Sequence, residues 1–166
     1  MNYAEQILEE FERTLPATRK HIERLPEDKL DWRPAPKSLT LGQLALHLVS
    51  APPMVSNIVL QETFEMSGPP TFPQPATVAE IVAALDSSLG EVRERLAKLA
   101  ELSPDASVTF TAGGNPVFAP PRGQFARDII LAHTYHHRGQ LGVYLRLLDV
   151  PVPSTFGPSA DESMGG

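Results

Sequence analysis

Apolar residues recur at helical spacing in four stretches of the chain, and clusters of proline mark the gaps between them. Ile7, Leu8, Phe11, Leu15, Ile22 and Leu25 form the first stripe, over about residues 4–24, with the three-to-four-residue period of a helix that buries one face. Pro16 sits inside it and predicts a kink or interruption. Leu41, Leu44, Leu48, Val55, Ile58 and Val59 form the second stripe, opening after Ser38 or Thr40, either of which makes a good N-cap. Pro52-Pro53 removes two amide donors and frees carbonyls around Leu48 and Val49, so the spacing predicts a kink there. A stop is not expected, because the apolar pattern resumes beyond. Thr77-Val78-Ala79-Glu80 fits a capping box ahead of the third stripe, Ile81, Leu85, Leu89, Val92, Leu96 and Leu99. Glu91, Arg93, Glu94, Arg95 and Lys98 supply its wet side. The fourth stripe runs over about residues 123–149 and reads Ala126, Ile130, His133, His137, Leu141, Tyr144 and Leu148.

The segments between these stripes read as connections. Residues 26–37 are bounded by proline and carry Trp32, which is expected to pack over a core edge. Residues 68–75 form a loop. Residues 103–121 are long and rich in Gly and Pro, with Val108-Thr109-Phe110-Thr111 as a short extended piece. The tail from Val150 is proline-rich and then small and polar, with a loosely packed or disordered end from about residue 160. The 17 prolines are about twice the usual share. They leave room for four helices, hence for an all-α four-helix bundle spanning residues 1–166 as one domain. The loop between helices two and three is expected to be short and the other connections longer than an idealised bundle needs.

Composition narrows the function. The hydrophobic share of 42% supports a real core, and the net charge of −6 argues against a nucleic-acid partner, which requires a basic surface. No apolar run approaches the roughly 20 residues of a membrane span. The first residues lack a basic segment followed by an apolar one, so a cytoplasmic location is expected by elimination. There is no cysteine, so any thiol chemistry needs a thiol from a cosubstrate.

Against that background the histidines stand out. Three of the five fall within residues 133–137. His133 and His137 are four apart on the inner stripe of the fourth helix, where one helix can offer two imidazoles to one metal. His47 shares an inward stripe with Leu44, Leu48 and Ala51 and is the better third partner. His21, flanked by Lys20, Glu23 and Arg24, is expected on a wet face. Three imidazoles suit zinc, nickel, copper or iron and leave positions open for water or substrate. His136 lies about 100° around from His137 and is expected beside the site or at a helix–helix contact. Gln140, three residues after His137, can orient a ligand. Arg138 either attracts an anionic substrate or is simply exposed. Tyr144 lies on the ligand stripe, and it or the backbone could instead satisfy two inward histidines with no metal at all. No glutamate follows the first histidine as in His-Glu-x-x-His, and Asp128 and Asp161 are the nearest candidate bases.

The segments 133–146 (His-Thr-Tyr-His-His-Arg-Gly-Gln-Leu-Gly-Val-Tyr-Leu-Arg) and 152–162 (Val-Pro-Ser-Thr-Phe-Gly-Pro-Ser-Ala-Asp-Glu), with Trp32-Arg33-Pro34-Ala35-Pro36 and Leu44-Ala45-Leu46-His47-Leu48 upstream, resemble the DinB-like proteins of the DinB/YfiT metalloenzyme superfamily. The resemblance extends over nearly the whole chain. It implies an up-down-down-up four-helix bundle holding one divalent metal, often nickel or zinc, on a histidine of helix two and the outer pair of His-x-x-x-His on helix four. These map onto His47, His133 and His137. It also implies a homodimer and, from characterised relatives, thiol-dependent S-transfer or isomerisation with bacillithiol, mycothiol or glutathione as cosubstrate. The expected function is thus a divalent-metal-dependent transferase or hydrolase acting on small electrophiles. A non-catalytic metal- or ligand-binding stress protein is the alternative, and a helical dimer with hydrogen-bonded histidines is the blandest case.

Overall fold

Three helices start where a side chain can close the free amides of the first turn. In the computed structural model, which describes residues 2–163, α1 (Tyr3–Ile22) opens on a reciprocal capping box between Asn2 and Glu5. Helix α2 (Leu41–Ile58) opens on another between Thr40 and Gln43. Helix α3 (Val78–Leu99) follows Thr77, whose hydroxyl accepts from the Glu80 amide. The Glu80 carboxylate does not return to Thr77 as the capping-box pattern predicts; it accepts from the amide of Ala76 at 3.0 Å. Pro16 interrupts nothing, since α1 runs through it, and Pro52-Pro53 likewise lies within a continuous α2.

The fourth rod has three parts. A short helix α4 (Arg122–Arg127) passes into a π-helical segment, Asp128–His133, and on into α5 (Thr134–Leu147). The wider π turn frees a carbonyl, and the buried Thr134 hydroxyl donates to Ile130 O at 2.9 Å. Asp149 then adopts φ 57°, the left-handed conformation that ends many helices, and Val150 N–H closes back on Leu145 O at 2.9 Å.

The helices pack in the cyclic order α1, α3, α2, α5, so that α1 and α2 stand diagonally. The core has two parts. One joins Phe11, Val59, Leu96, Leu99, Ile130 and their neighbours at one end. The other joins Ile22, Leu41, Leu44, Ile81, Leu141 and Leu145 at the opposite end.

The periodicity did not predict a sheet. Strands β1 (Thr63–Glu65), β2 (Thr109–Ala112) and β3 (Asn115–Phe118) form one in that order, β1 parallel and β3 antiparallel to β2. Gly113 and Gly114, at φ 57° and 76°, form the hairpin turn that only glycine adopts cheaply. Phe110 packs against Phe64, Phe118 and Phe125, which ties the sheet to the start of the fourth rod. Because β1 lies between them, the α2–α3 connection spans residues 59–77 and is not short.

The tail is not loose over residues 160–163. Asp161 pairs with Arg146 and accepts from Val152 N–H. Glu162 pairs with Arg24 and accepts from Ser154 N–H at 2.9 Å. Residues 164–166, also expected to be loose, lie outside the described part of the chain. Trp32 sits half-buried with its ring edge-on to Tyr144 at 5.7 Å, over a core edge as its loop position suggested.

Candidate metal centre

The capping box at Thr40 sets the register of α2, and two turns later His47 points at the fourth rod. The π segment ends at His133, and one α-turn later His137 lies on the same face. Donor atoms of His47, His133 and His137 all lie within 4.8 Å of one another. The rings stand nearly perpendicular, with His47 5.0 Å from His133 and 4.8 Å from His137, and the latter two 4.2 Å apart.

The tautomer of His137 is set from outside. Its Nδ1 lies 2.7 Å from Gln140 Oε1, and an amide oxygen can only accept, so the proton is on Nδ1 and Nε2 carries a lone pair. That Nε2 faces His133 Nε2 at 3.0 Å. Two imidazoles bound to one ion at about 2.0–2.1 Å each hold their nitrogens about 3 Å apart when the bonds are near a right angle. His47 makes no hydrogen bond among the described residues; its ring meets only the two other histidines and the edge of Phe72, 5.1 Å away. This donor set therefore fits a divalent ion: two nitrogens already at ligand spacing and a third imidazole with no protein partner.

Electrostatics favour the neutral form that ligation requires. Burial, with a smaller contribution from His137, holds His47 down at about 4. Burial, then His137, His47 and His136, hold His133 at about 4. Burial also lowers His137, against the opposing pull of Gln140.

The other sequence candidates separate. His136 is exposed, its ring 4.9 Å from that of His137, so it flanks the trio without joining it. Tyr144 turns away and donates to Leu39 O at 3.2 Å. It does not satisfy the histidines. Arg138 is neither exposed nor at the trio: it is 3% exposed and donates to Thr14 O at 3.1 Å. His21, expected on a wet face, is 2% exposed, because its charged neighbours in sequence point around the helix while its own position faces α5. Asp161 is taken up by Arg146 and Val152, and Asp128 is exposed at the start of the π segment.

Sequence reasoning missed the wall beside the trio. A cleft of about 440 Å³ runs from His47 along Gln43, Ser50 and Met54 to Phe64, Met66 and the loop ending at Phe72. Among the described residues no carboxylate, lysine or arginine lines it, and its one titratable group is the neutral imidazole of His47. An aromatic residue inside a proline-rich loop was the available signal, since exposed loops rarely carry one without a packing partner.

Comparison with known proteins identifies the family and the fold. The model of the DinB superfamily matches residues 10–141, which include all three histidines and stop short of the tail. No curated protein matches the sequence. Among solved structures, a DinB-like protein from Bacillus cereus ATCC 10987 is 23% identical, with a TM-score of 0.68 over 91% of this chain and 96% of its own. The DinB-like YjoA of Bacillus subtilis is 18% identical, with a TM-score of 0.64 over 96% and 99%. Bacillus subtilis YfiT, described as a probable metal-dependent hydrolase with an unusual four-helix bundle topology, is 14% identical, with a TM-score of 0.59 over 88% and 87%. At these identities the likeness is one of fold. With the family model spanning most of its length, the chain belongs to the DinB superfamily.

Proposed function

We propose that this chain is a divalent-metal-dependent enzyme, with His47, His133 and His137 as the ligands and nickel or zinc as the ion. The observation that carries it is the convergence of three imidazoles in which His47 has no protein partner and His137 is already fixed in a ligating tautomer. His47, His133 and His137 would hold the ion, whose chemistry there would be Lewis acidity and activation of a water or low-molecular-weight thiol as nucleophile near neutral pH. The chain's own part is to hold the rings perpendicular, keep them unprotonated, and bring a substrate against His47 in the cleft walled by Met54, Phe64 and Phe72. A cleft without carboxylate, lysine or arginine suits a small uncharged electrophile. Hydrolysis, which YfiT's description suggests, and S-transfer from a thiol are the two reactions this arrangement supports. The absence of cysteine makes any thiol exogenous.

Direct tests are metal content and coordination. Protein purified without a histidine tag should take up close to one equivalent of metal, and His133→Ala should not. Adding a thiol should shift the cobalt or nickel spectrum. Uptake below about one-tenth equivalent, unchanged in His133→Ala, would sink the proposal. One observation favours a second reading, a non-catalytic metal- or ligand-binding protein: neither Asp128 nor Asp161 reaches the trio as a base. A spectrum indifferent to thiols, with no hydrolysis of small esters or amides, would favour it.

The family resemblance further supports an up-down-down-up order and a homodimer, and the cytoplasmic location expected by elimination from the sequence is part of the same proposal. For the order, the supporting contacts are Tyr3 to Leu99 and Glu12 to Arg93 between α1 and α3, Pro53 to Arg95 between α2 and α3, and Val59 to Arg122 between α2 and the fourth rod. For the location, no described helix is long and apolar enough to cross a membrane. Sedimentation equilibrium at micromolar concentration tests the dimer.

A further inference from the structure

On the face of α5 away from the three histidines lies a second cleft of about 420 Å³, between that helix, α1 and the tail. Arg138 lines it. This side chain is almost wholly buried, yet no carboxylate pairs with it among the described residues. Among the described residues only Nη1 has hydrogen-bond partners, Thr14 O at 3.1 Å and Thr18 Oγ1 at 3.5 Å. An arginine does not lose its proton to escape burial, and a buried charge without a counterion is costly. The remaining guanidinium N–H groups have no acceptor among the described residues, and they are not among the sealed, unpartnered atoms of the core. They therefore keep some accessible surface, and the open space that Arg138 lines is this cleft.

The surroundings define what would fit. Arg146, also at the cleft, is neutralised by Asp161. His21 Nδ1–H donates to Ala17 O at 2.7 Å, which leaves Nε2 as an acceptor toward the cleft and adds no second positive charge. Burial lowers the His21 pKa, consistent with a neutral ring. The walls are apolar: Val143, Val152, and the rings of Tyr135 and Phe156, whose centres lie 5.4 and 5.1 Å from the Arg138 guanidinium carbon. Phe156 is 65% exposed, and the Glu162 and Asp161 bonds hold its segment over the opening.

We propose that this cleft binds the carboxylate of a small monoanionic ligand with an apolar body, with Arg138 as its counterion and the Tyr135–Phe156 wall receiving the apolar part. One uncompensated positive charge matches a carboxylate and undercompensates a phosphate dianion, and a guanidinium fork meets a carboxylate with two parallel hydrogen bonds. The site is separate from the histidine trio, so its test uses metal-free His47→Ala protein, in which carboxylate binding to an ion cannot contribute.

Phenylacetate is titrated against this protein labelled with nitrogen-15, and the Arg138 Nε–H resonance is followed. Saturable binding is expected, with Kd on the order of 1 mM. Phenylacetamide should bind at least about tenfold more weakly, because it lacks the charge, and inorganic phosphate should not compete. Arg138→Lys keeps the charge without the fork and should also lose about tenfold. Should that variant fail to fold, Gly139→Leu decides: position 139 lines the cleft and a Cβ there meets nothing within 4 Å, so the leucine is expected to occupy the mouth of the cleft and abolish binding. Equal affinity for acid and amide, effective competition by phosphate, or undiminished binding in Gly139→Leu would each overturn the proposal.

Discussion

Gln140 shows how one residue outside a ligand set can govern it. Its Oε1 fixes the proton of His137 on Nδ1, and partners of this kind typically contribute 10–100-fold in metal affinity. Gln140→Leu should therefore weaken metal binding by about that factor in a chelator competition, while Gln140→Glu, which still accepts, should not. Gln140 is exposed, so the melting temperature of the metal-free protein should be unchanged. The histidines themselves make metal-free stability depend on pH. Their folded pKa values, about 4 for His47 and His133, lie below the ordinary 6.5, so the unfolded chain takes up protons first as pH falls. Stability should decline from about pH 6.5 toward pH 4. Urea midpoints of metal-free protein at pH 7.5, 6 and 5 check this, and a flat series would contradict it.

Single elements carry the placement of these residues, and they differ in how far the sequence revealed them. Thr40 was legible as an N-cap, and the box it forms with Gln43 sets α2 two turns ahead of His47. Thr40→Ala should cost about 1 kcal/mol, seen as a lower melting temperature. The four helices and the inward trio were readable because amphipathic periodicity over some twenty residues is a strong signal. Of the strands only β2 was legible, as the extended piece 108–111; β1 and β3 were not, because three or four residues hold barely two alternations. The π segment left no trace in the pattern, since its residues have ordinary helical character. His21 was misplaced because polarity of its neighbours was taken for exposure, whereas on a helix adjacent residues face different ways; for Arg138 the exposed reading rested on its own charge, and it is buried. The tail is a further element whose pinning was hidden in side-chain chemistry. Glu162, held at about 2 first by the Ser154 amide and then by Arg24, stabilises the docked tail above its ordinary carboxylate range. That contribution is lost progressively as pH falls from about 4.5 through about 2. Glu162→Gln should thus expose the Phe156 segment to chymotrypsin at pH 7, where the wild-type tail resists.

At the scale of the whole molecule, the trio joins two elements that the chain itself connects only through α3 and the sheet. His47 belongs to α2, His133 and His137 to the fourth rod, so an ion bound by all three cross-links two sides of the bundle. The unfolded chain has the same histidines about ninety residues apart and cannot present them together, so the ion should bind the folded state almost exclusively. Mass action then sets the size of the effect: free metal at 100 times Kd adds about 2.7 kcal/mol, which for a domain of this length raises the melting temperature by roughly 5–11 °C. Chelation should reverse that shift, and readdition of one equivalent should restore it. His133→Ala should melt at the same temperature with and without chelator, because the cross-link is already lost. A wild-type melting temperature indifferent to both chelator and metal would mean that the three rings are held by packing alone, and it would return the site to hydrogen-bonded histidines with no ion to hold.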